Sequence, residues 1–156
     1  MAAAALTVLL ASEEATERLG ALLARCARPG DCILLRGHIG AGKSALARAF
    51  IRARLGPDTE VPSPTFTLVQ TYQDGDVEIW HADLYRLSDP QEAVELGLID
   101  AFSEMICLVE WPELLGEMVP ETSLDIELSA KDGGHVAKLT SGAGWHDRLD
   151  GVHDLA

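Results

Sequence analysis

The chain has 156 residues, 47% of them hydrophobic, enough for one domain that buries a core without disulfide or metal staples. Its 12 Lys and Arg stand against 25 Asp and Glu, a net charge of −13 at pH 7, which repels nucleic acid at long range, so that if the function involves RNA another chain is expected to hold it. Cys26, Cys32 and Cys107 are isolated and odd in number, so neither a disulfide framework nor a C-x-x-C metal site is expected. That usage points to a reducing compartment.

Met1 to Leu6 carries no basic leader, and no apolar run approaches the length of a membrane span. A cytoplasmic protein is therefore expected. Residues 6–11 read as a first strand. Ser12 is placed to cap a helix in which Leu19, Leu22, Leu23 and Cys26 repeat at helical spacing, with Glu13 and Glu14 in its first turn and Arg25 and Arg28 near its end; both charge placements suit the helix dipole.

After the turn Pro29-Gly30-Asp31, the apolar run Cys32-Ile33-Leu34-Leu35 leads into Gly37-His38-Ile39-Gly40-Ala41-Gly42-Lys43-Ser44. This fits G-x-x-x-x-G-K-[ST], the phosphate-binding P-loop, in the strand–turn–helix context that the motif requires. Gly37, Gly40 and Gly42 allow backbone conformations that bring successive N–H groups, including those around Ile39 and Ala41, onto an anion. The helix beginning near Lys43, whose first turn holds Ala45, adds its positive end. Lys43 is placed for the β- and γ-phosphates of a nucleotide and Ser44 for Mg²⁺. The helix is expected to run to Leu55 and stop at Gly56-Pro57.

Val61-Pro62-Ser63-Pro64-Thr65-Phe66-Thr67 reads as a stiff extended segment entering a strand. Two readings of it stand level: a hydroxyl-rich loop that senses the γ-phosphate, or a connector whose threonines merely suit β structure. Residues 65–72 and 77–82, joined through Asp74-Gly75, are expected to form an antiparallel hairpin. Asp83 follows, either as a catalytic acid beyond a strand's carboxyl end or as the cap of the next turn; His81 reads as a strand side chain.

Asp89-Pro90-Gln91-Glu92 opens a further helix, whose Glu95, Asp100 and Glu104 suit a solvated face. Ile106-Cys107-Leu108-Val109-Glu110 has four apolar residues ending in a carboxylate, the pattern that places an acid beside Mg²⁺ in P-loop proteins. Glu110 is thus a candidate metal ligand and catalytic residue, while Trp111 suits packing beside the strand end or stacking on a base. Residues 124–128 and 135–140 suggest a second hairpin, and 141–156, rich in Gly and Asp, a loose tail.

These features predict one α/β domain over residues 1–156, with a mostly parallel central sheet, antiparallel hairpin additions and flanking helices. Three functional classes compete. The chain contains no asparagine, so the Asn-Lys-x-Asp element of GTPases is missing. A small-molecule kinase needs a lid rich in arginine, and beyond Arg54 the basic residues are Arg86, Lys131, Lys138 and Arg148, which leaves that reading as the alternative. An ATPase fits better; a switch that holds ATP or ADP without hydrolysis is the third.

The P-loop, Ser63-Pro64-Thr65-Phe66-Thr67-Leu68-Val69, His81-Ala82-Asp83-Leu84-Tyr85-Arg86-Leu87 and Ile106-Cys107-Leu108-Val109-Glu110-Trp111-Pro112-Glu113 together resemble, in order and spacing, the TsaE (YjeE) family. These are small bacterial P-loop ATPases of tRNA threonylcarbamoyladenosine synthesis, and the likeness spans about Ser12 to Thr140. It implies a cytoplasmic partner of the TsaB and TsaD proteins, touching tRNA only indirectly, whose ATP hydrolysis supports modification of adenosine 37. It implies Lys43 on the phosphates, Ser44 and Glu110 on Mg²⁺, Thr65 and Thr67 in a switch-like loop and Asp83 assisting hydrolysis. Trp111 and Ser12 would lie near the nucleotide. The chain departs from the family at His38, where an acid is usual, at Ala45, where Thr is common, and around Gly134, His135 and Val136, where an Arg is frequent.

Overall fold

The computed structural model describes residues 4–141, 144–145 and 147–155. Seven strands form one sheet: β1 (Ala4–Leu10), β2 (Cys32–Arg36), β3 (Val69–Asp74), β4 (Val77–Asp83), β5 (Ile106–Glu110), β6 (Leu124–Lys131) and β7 (Gly134–Ser141). Their spatial order is β1-β7-β6-β2-β5-β4-β3. The four central strands are mutually parallel, and antiparallel pairs add β3 at one side and β7 and β1 at the other. The expected mixed α/β sheet is therefore observed. β2 and β5 are apolar almost throughout because both faces of a central parallel strand are covered.

The helices are α1 (Glu13–Cys26), α2 (Lys43–Leu55) and the short α3 (Pro90–Glu95) and α4 (Leu98–Ala101). Alternation along the strands sends Ile33, Leu35, Ile79, Ile106 and Leu108 to the face packed by α1 and α2. Cys32, Leu34, Ala82, Cys107 and Val109 go to the other face, against α3, α4 and a 3₁₀ segment at Pro112–Met118. α1 and α2 cross at Gly20, where a Cβ would come within 2.6 Å of the Ala49 Cβ. Only glycine fits that crossing.

Three boundaries differ from the sequence reading. β3 begins at Val69, four residues later than expected, because residues 64–67 form turns closed by a Leu68 N–H to Pro64 carbonyl bond of 2.7 Å. The acidic helix after Asp89 breaks at Gly97, which takes a left-handed φ of 85°. Where composition suggested a loose tail, Trp145, Leu149 and Val152 are buried in the α1 side of the core, within or beside a 3₁₀ segment at Asp147–Leu155. Arg148 fixes this segment by pairing with Asp31 at 2.6 Å and donating to the Cys26 carbonyl at 2.9 Å.

Candidate functional site

The site forms at the carboxyl ends of β2, β4 and β5, where the β2 chain turns into α2. Gly42 precedes α2 with φ 104° and ψ 11°, a left-handed conformation that strains any residue bearing a Cβ. Gly37 lies so close to β6 that a Cβ would overlap the Leu128 carbonyl oxygen. These two constraints set the loop's path and leave the first N–H groups of α2 without partners inside the helix.

Lys43, the first residue of α2, is only 5% exposed. Its ammonium donates to the carbonyls of Gly37 (2.6 Å) and His38 (2.9 Å) and lies 4.1 Å from the centroid of the Trp111 ring. Burial lowers its pKa below the ordinary lysine value, and the charges of Glu110, Asp83 and Glu113 oppose that shift. Trp111 itself has a left-handed backbone, φ 57° and ψ 54°, and its ring meets Tyr85 at 4.8 Å. The sharp turn after β5 thus places an aromatic face on the lysine.

Register brings the carboxylates together. Asp83 of β4 stands opposite Glu110 of β5, and in a parallel pair such residues share a face of the sheet, here the α2 face. Glu110 is 2% exposed; the Ser44 hydroxyl donates to its Oε1 at 2.9 Å and lies 3.2 Å from its Oε2, and His81 Nε2 lies 2.7 Å from Oε2. Asp83, 6% exposed, accepts the Tyr85 backbone N–H at 3.0 Å and lies 3.4 Å from Thr65 Oγ1. It therefore caps the turn, as one sequence reading expected, and stands beside Glu110 at the strand ends.

Lys43, Ser44, Thr65, Asp83, Glu110 and Trp111 are thus assembled around one point. Ser12, Ala41, Gly42 and Ala45 line a cleft of about 900 Å³ between α1, α2 and the β6–β7 hairpin, within the usual size range of small-molecule pockets. Ser12 also caps α1, accepting the Ala15 N–H at 3.2 Å. Thr67 accepts from Gln70 at 3.0 Å on the exposed loop, and Ile39, whose part in the loop is its backbone N–H, has a side chain that is 75% exposed. Gly37 and Gly40 shape the loop.

Two histidines were not singled out by sequence reasoning as site residues. His135 reaches from the hairpin to within 3.3 Å of the Gly40 carbonyl, over Gly42. His81 contacts Glu110. A signal for it existed, since it stands two residues before Asp83 and so shares its face of β4.

A buried strand, a glycine turn, a helix beginning Lys43-Ser44 and a carboxylate at the end of the adjacent parallel strand define a P-loop protein. The family model described as "Threonylcarbamoyl adenosine biosynthesis protein TsaE" matches residues 10–137. Among relatives, the tRNA threonylcarbamoyladenosine biosynthesis protein TsaE of Rickettsia conorii is 41% identical over 123 residues, 79% of this chain and 70% of that protein. The protein of the same name from Bacillus subtilis is 40% identical over 114 residues, 72% of this chain and 70% of its own length. The crystal structure of Bacillus subtilis YdiB superposes with a TM-score of 0.77 at 27% identity, covering 99% of both chains. This chain belongs to the TsaE family. Among the described residues, no helix is long and apolar enough to cross a membrane.

Proposed function

We propose that the protein is an ATP-binding and ATP-hydrolysing accessory of the cytoplasmic machinery that makes threonylcarbamoyladenosine at position 37 of tRNA, acting with the TsaB and TsaD proteins. The observation that carries this reading is the Ser44–Glu110 hydrogen bond of 2.9 Å, which joins the P-loop helix to the end of β5 beside Lys43 in a chain of the TsaE family. The role in threonylcarbamoyladenosine formation rests on the names of its relatives. The net charge of −13 accords with a subunit that meets tRNA only through its partners.

The donor set suits Mg²⁺. Ser44 and Glu110 offer hard oxygen ligands, and this ion takes one or two protein ligands while phosphate oxygens and water complete its shell. Bound there, Mg²⁺ would supply charge neutralisation for the phosphates. Lys43 exchanges its bonds to the Gly37 and His38 carbonyls for bonds to phosphate oxygens, stronger because both partners are charged. Asp83, fixed by the Tyr85 N–H, orients the attacking water, and Thr65 beside it couples the 63–67 loop to the terminal phosphate. Ser12 lines the cleft beside the P-loop helix, and Trp111, against the Lys43 ammonium, lies near the phosphate end of the nucleotide.

Modified nucleoside formed on unmodified tRNA by TsaB and TsaD, with a supply of threonylcarbamoyl donor, tests the assignment. Addition of this chain with ATP should carry the reaction from about one turnover to many. Equal yields with and without it would refute the role.

A further inference from the structure

The buried Glu110 carboxylate is held from two sides, and the second side is not accounted for by the P-loop. His81 lies on β4, opposite Leu108 in register, two residue pairs deeper in the sheet than Asp83 and Glu110 and on the same face. It is 1% exposed. Its Nε2 lies 2.7 Å from Glu110 Oε2, while its Nδ1 is buried with no hydrogen-bond partner among the described residues. A carboxylate oxygen only accepts, so the ring proton of this contact sits on Nε2. The histidine therefore donates, and among the described residues its ring's hydrogen-bond partner is Glu110.

We propose that His81 is a positioning residue for the cation site: its Nε2–H pins Oε2 of Glu110 from below and so turns Oε1 towards Ser44, where the metal is to be shared. This rests on the reading of Ser44 and Glu110 as Mg²⁺ ligands given above. The physical need is specific. An almost fully buried carboxylate held by Ser44 alone could rotate about its last side-chain bond when the hydroxyl turns to a cation. A second donor, fixed on a neighbouring strand, keeps the oxygen aimed through that exchange. Hydrogen-bonded partners of metal ligands commonly have this effect.

The ordering of substitutions distinguishes positioning from packing. Gln can present an N–H near the place of Nε2, Asn presents one only near the place of Nδ1, and Leu presents none. Mn²⁺ binding to the ADP complex, followed by electron paramagnetic resonance, is the readout, with ADP affinity in EDTA measured beside it. We expect His81→Leu and His81→Asn to weaken Mn²⁺ binding by about tenfold or more, with His81→Gln staying near the parent protein. ADP affinity in EDTA should change by no more than about twofold in all three, because the phosphate-binding groups remain.

Equal Mn²⁺ affinities for His81→Gln and His81→Asn would overturn the proposal, and that comparison holds even if His81→Leu does not fold. Parallel losses of ADP affinity in EDTA and of Mn²⁺ affinity would overturn it too, by showing a general structural role. A parent protein that binds ADP without taking up Mn²⁺ would instead refute the underlying metal assignment.

Discussion

Replacing Lys43 separates two effects of one buried ammonium. In the free protein it has two carbonyl acceptors, at 2.6 and 2.9 Å, and an aromatic face at 4.1 Å. Nucleotide binding trades the carbonyls for phosphate oxygens. A hydrogen bond to a charged group contributes about 1.5–3 kcal/mol net, and because bonds are given up as others form, the gain is taken as that of one such bond. Lys43→Ala should therefore weaken ADP binding roughly ten- to 150-fold.

Folding stability should respond much less. The Gly37 and His38 carbonyls lie on a loop that water reaches, so they regain partners, and removal of a desolvated charge offsets the lost stem packing. A change within about 1 kcal/mol, or roughly 2–4 °C in Tm, is expected. Lys43→Met keeps most of the stem and should reproduce the affinity loss with a smaller shift in Tm. Isothermal titration calorimetry with ADP and thermal unfolding give both quantities. A loss of affinity below about threefold in a folded Lys43→Ala protein would show that the ammonium does not meet the phosphates.

Other regions give independent tests. Trp145→Ala removes a fully buried indole stacked 4.1 Å from the Arg148 guanidinium and should destabilise by about 3–5 kcal/mol in chemical unfolding; a change below about 1 kcal/mol would mean that the C-terminal segment is not docked in solution. Burial pushes the Cys32 thiol up to about 12 and raises Cys107 as well. Both should resist an aromatic disulfide reagent at pH 8 until the protein unfolds, whereas immediate labelling of either would contradict their packing. The folded state keeps protons that the unfolded thiols release, so these two groups leave stability unchanged at neutral pH and reduce it as pH rises from about 9 towards 12. Unfolding midpoints measured across that interval check the sign.

Much of the site was legible because its chemistry constrains local sequence. A loop that wraps an anion needs glycines at fixed offsets, and a central parallel strand needs an apolar run, so β2, α2 and the Glu110 strand could be placed from short patterns. Contacts between distant segments were not legible in that way. Asp31 and Arg148 meet across 117 residues, and neither has a local feature that names its partner. Trp145, Leu149 and Val152 do recur at steps of four and three residues, but the surrounding Gly and Asp obscured that spacing. The delayed start of β3 reflects Leu68, which adopts φ 68° because tertiary contacts, including Asp83 N–H to the Leu68 carbonyl at 2.9 Å, override its β preference. His81 illustrates a middle case: its face of the strand could be inferred, whereas its use needed the register of β4 against β5.

Phosphate release from ATP and Mg²⁺, by the chain alone and mixed with TsaB and TsaD, tests the central claim most directly. The account predicts weak release that rises on mixing, is lost in Lys43→Ala, and falls in Glu110→Gln far more than ADP binding does. Release that is unchanged by the partners, or that persists at the parent rate in a folded Glu110→Gln protein, would contradict it.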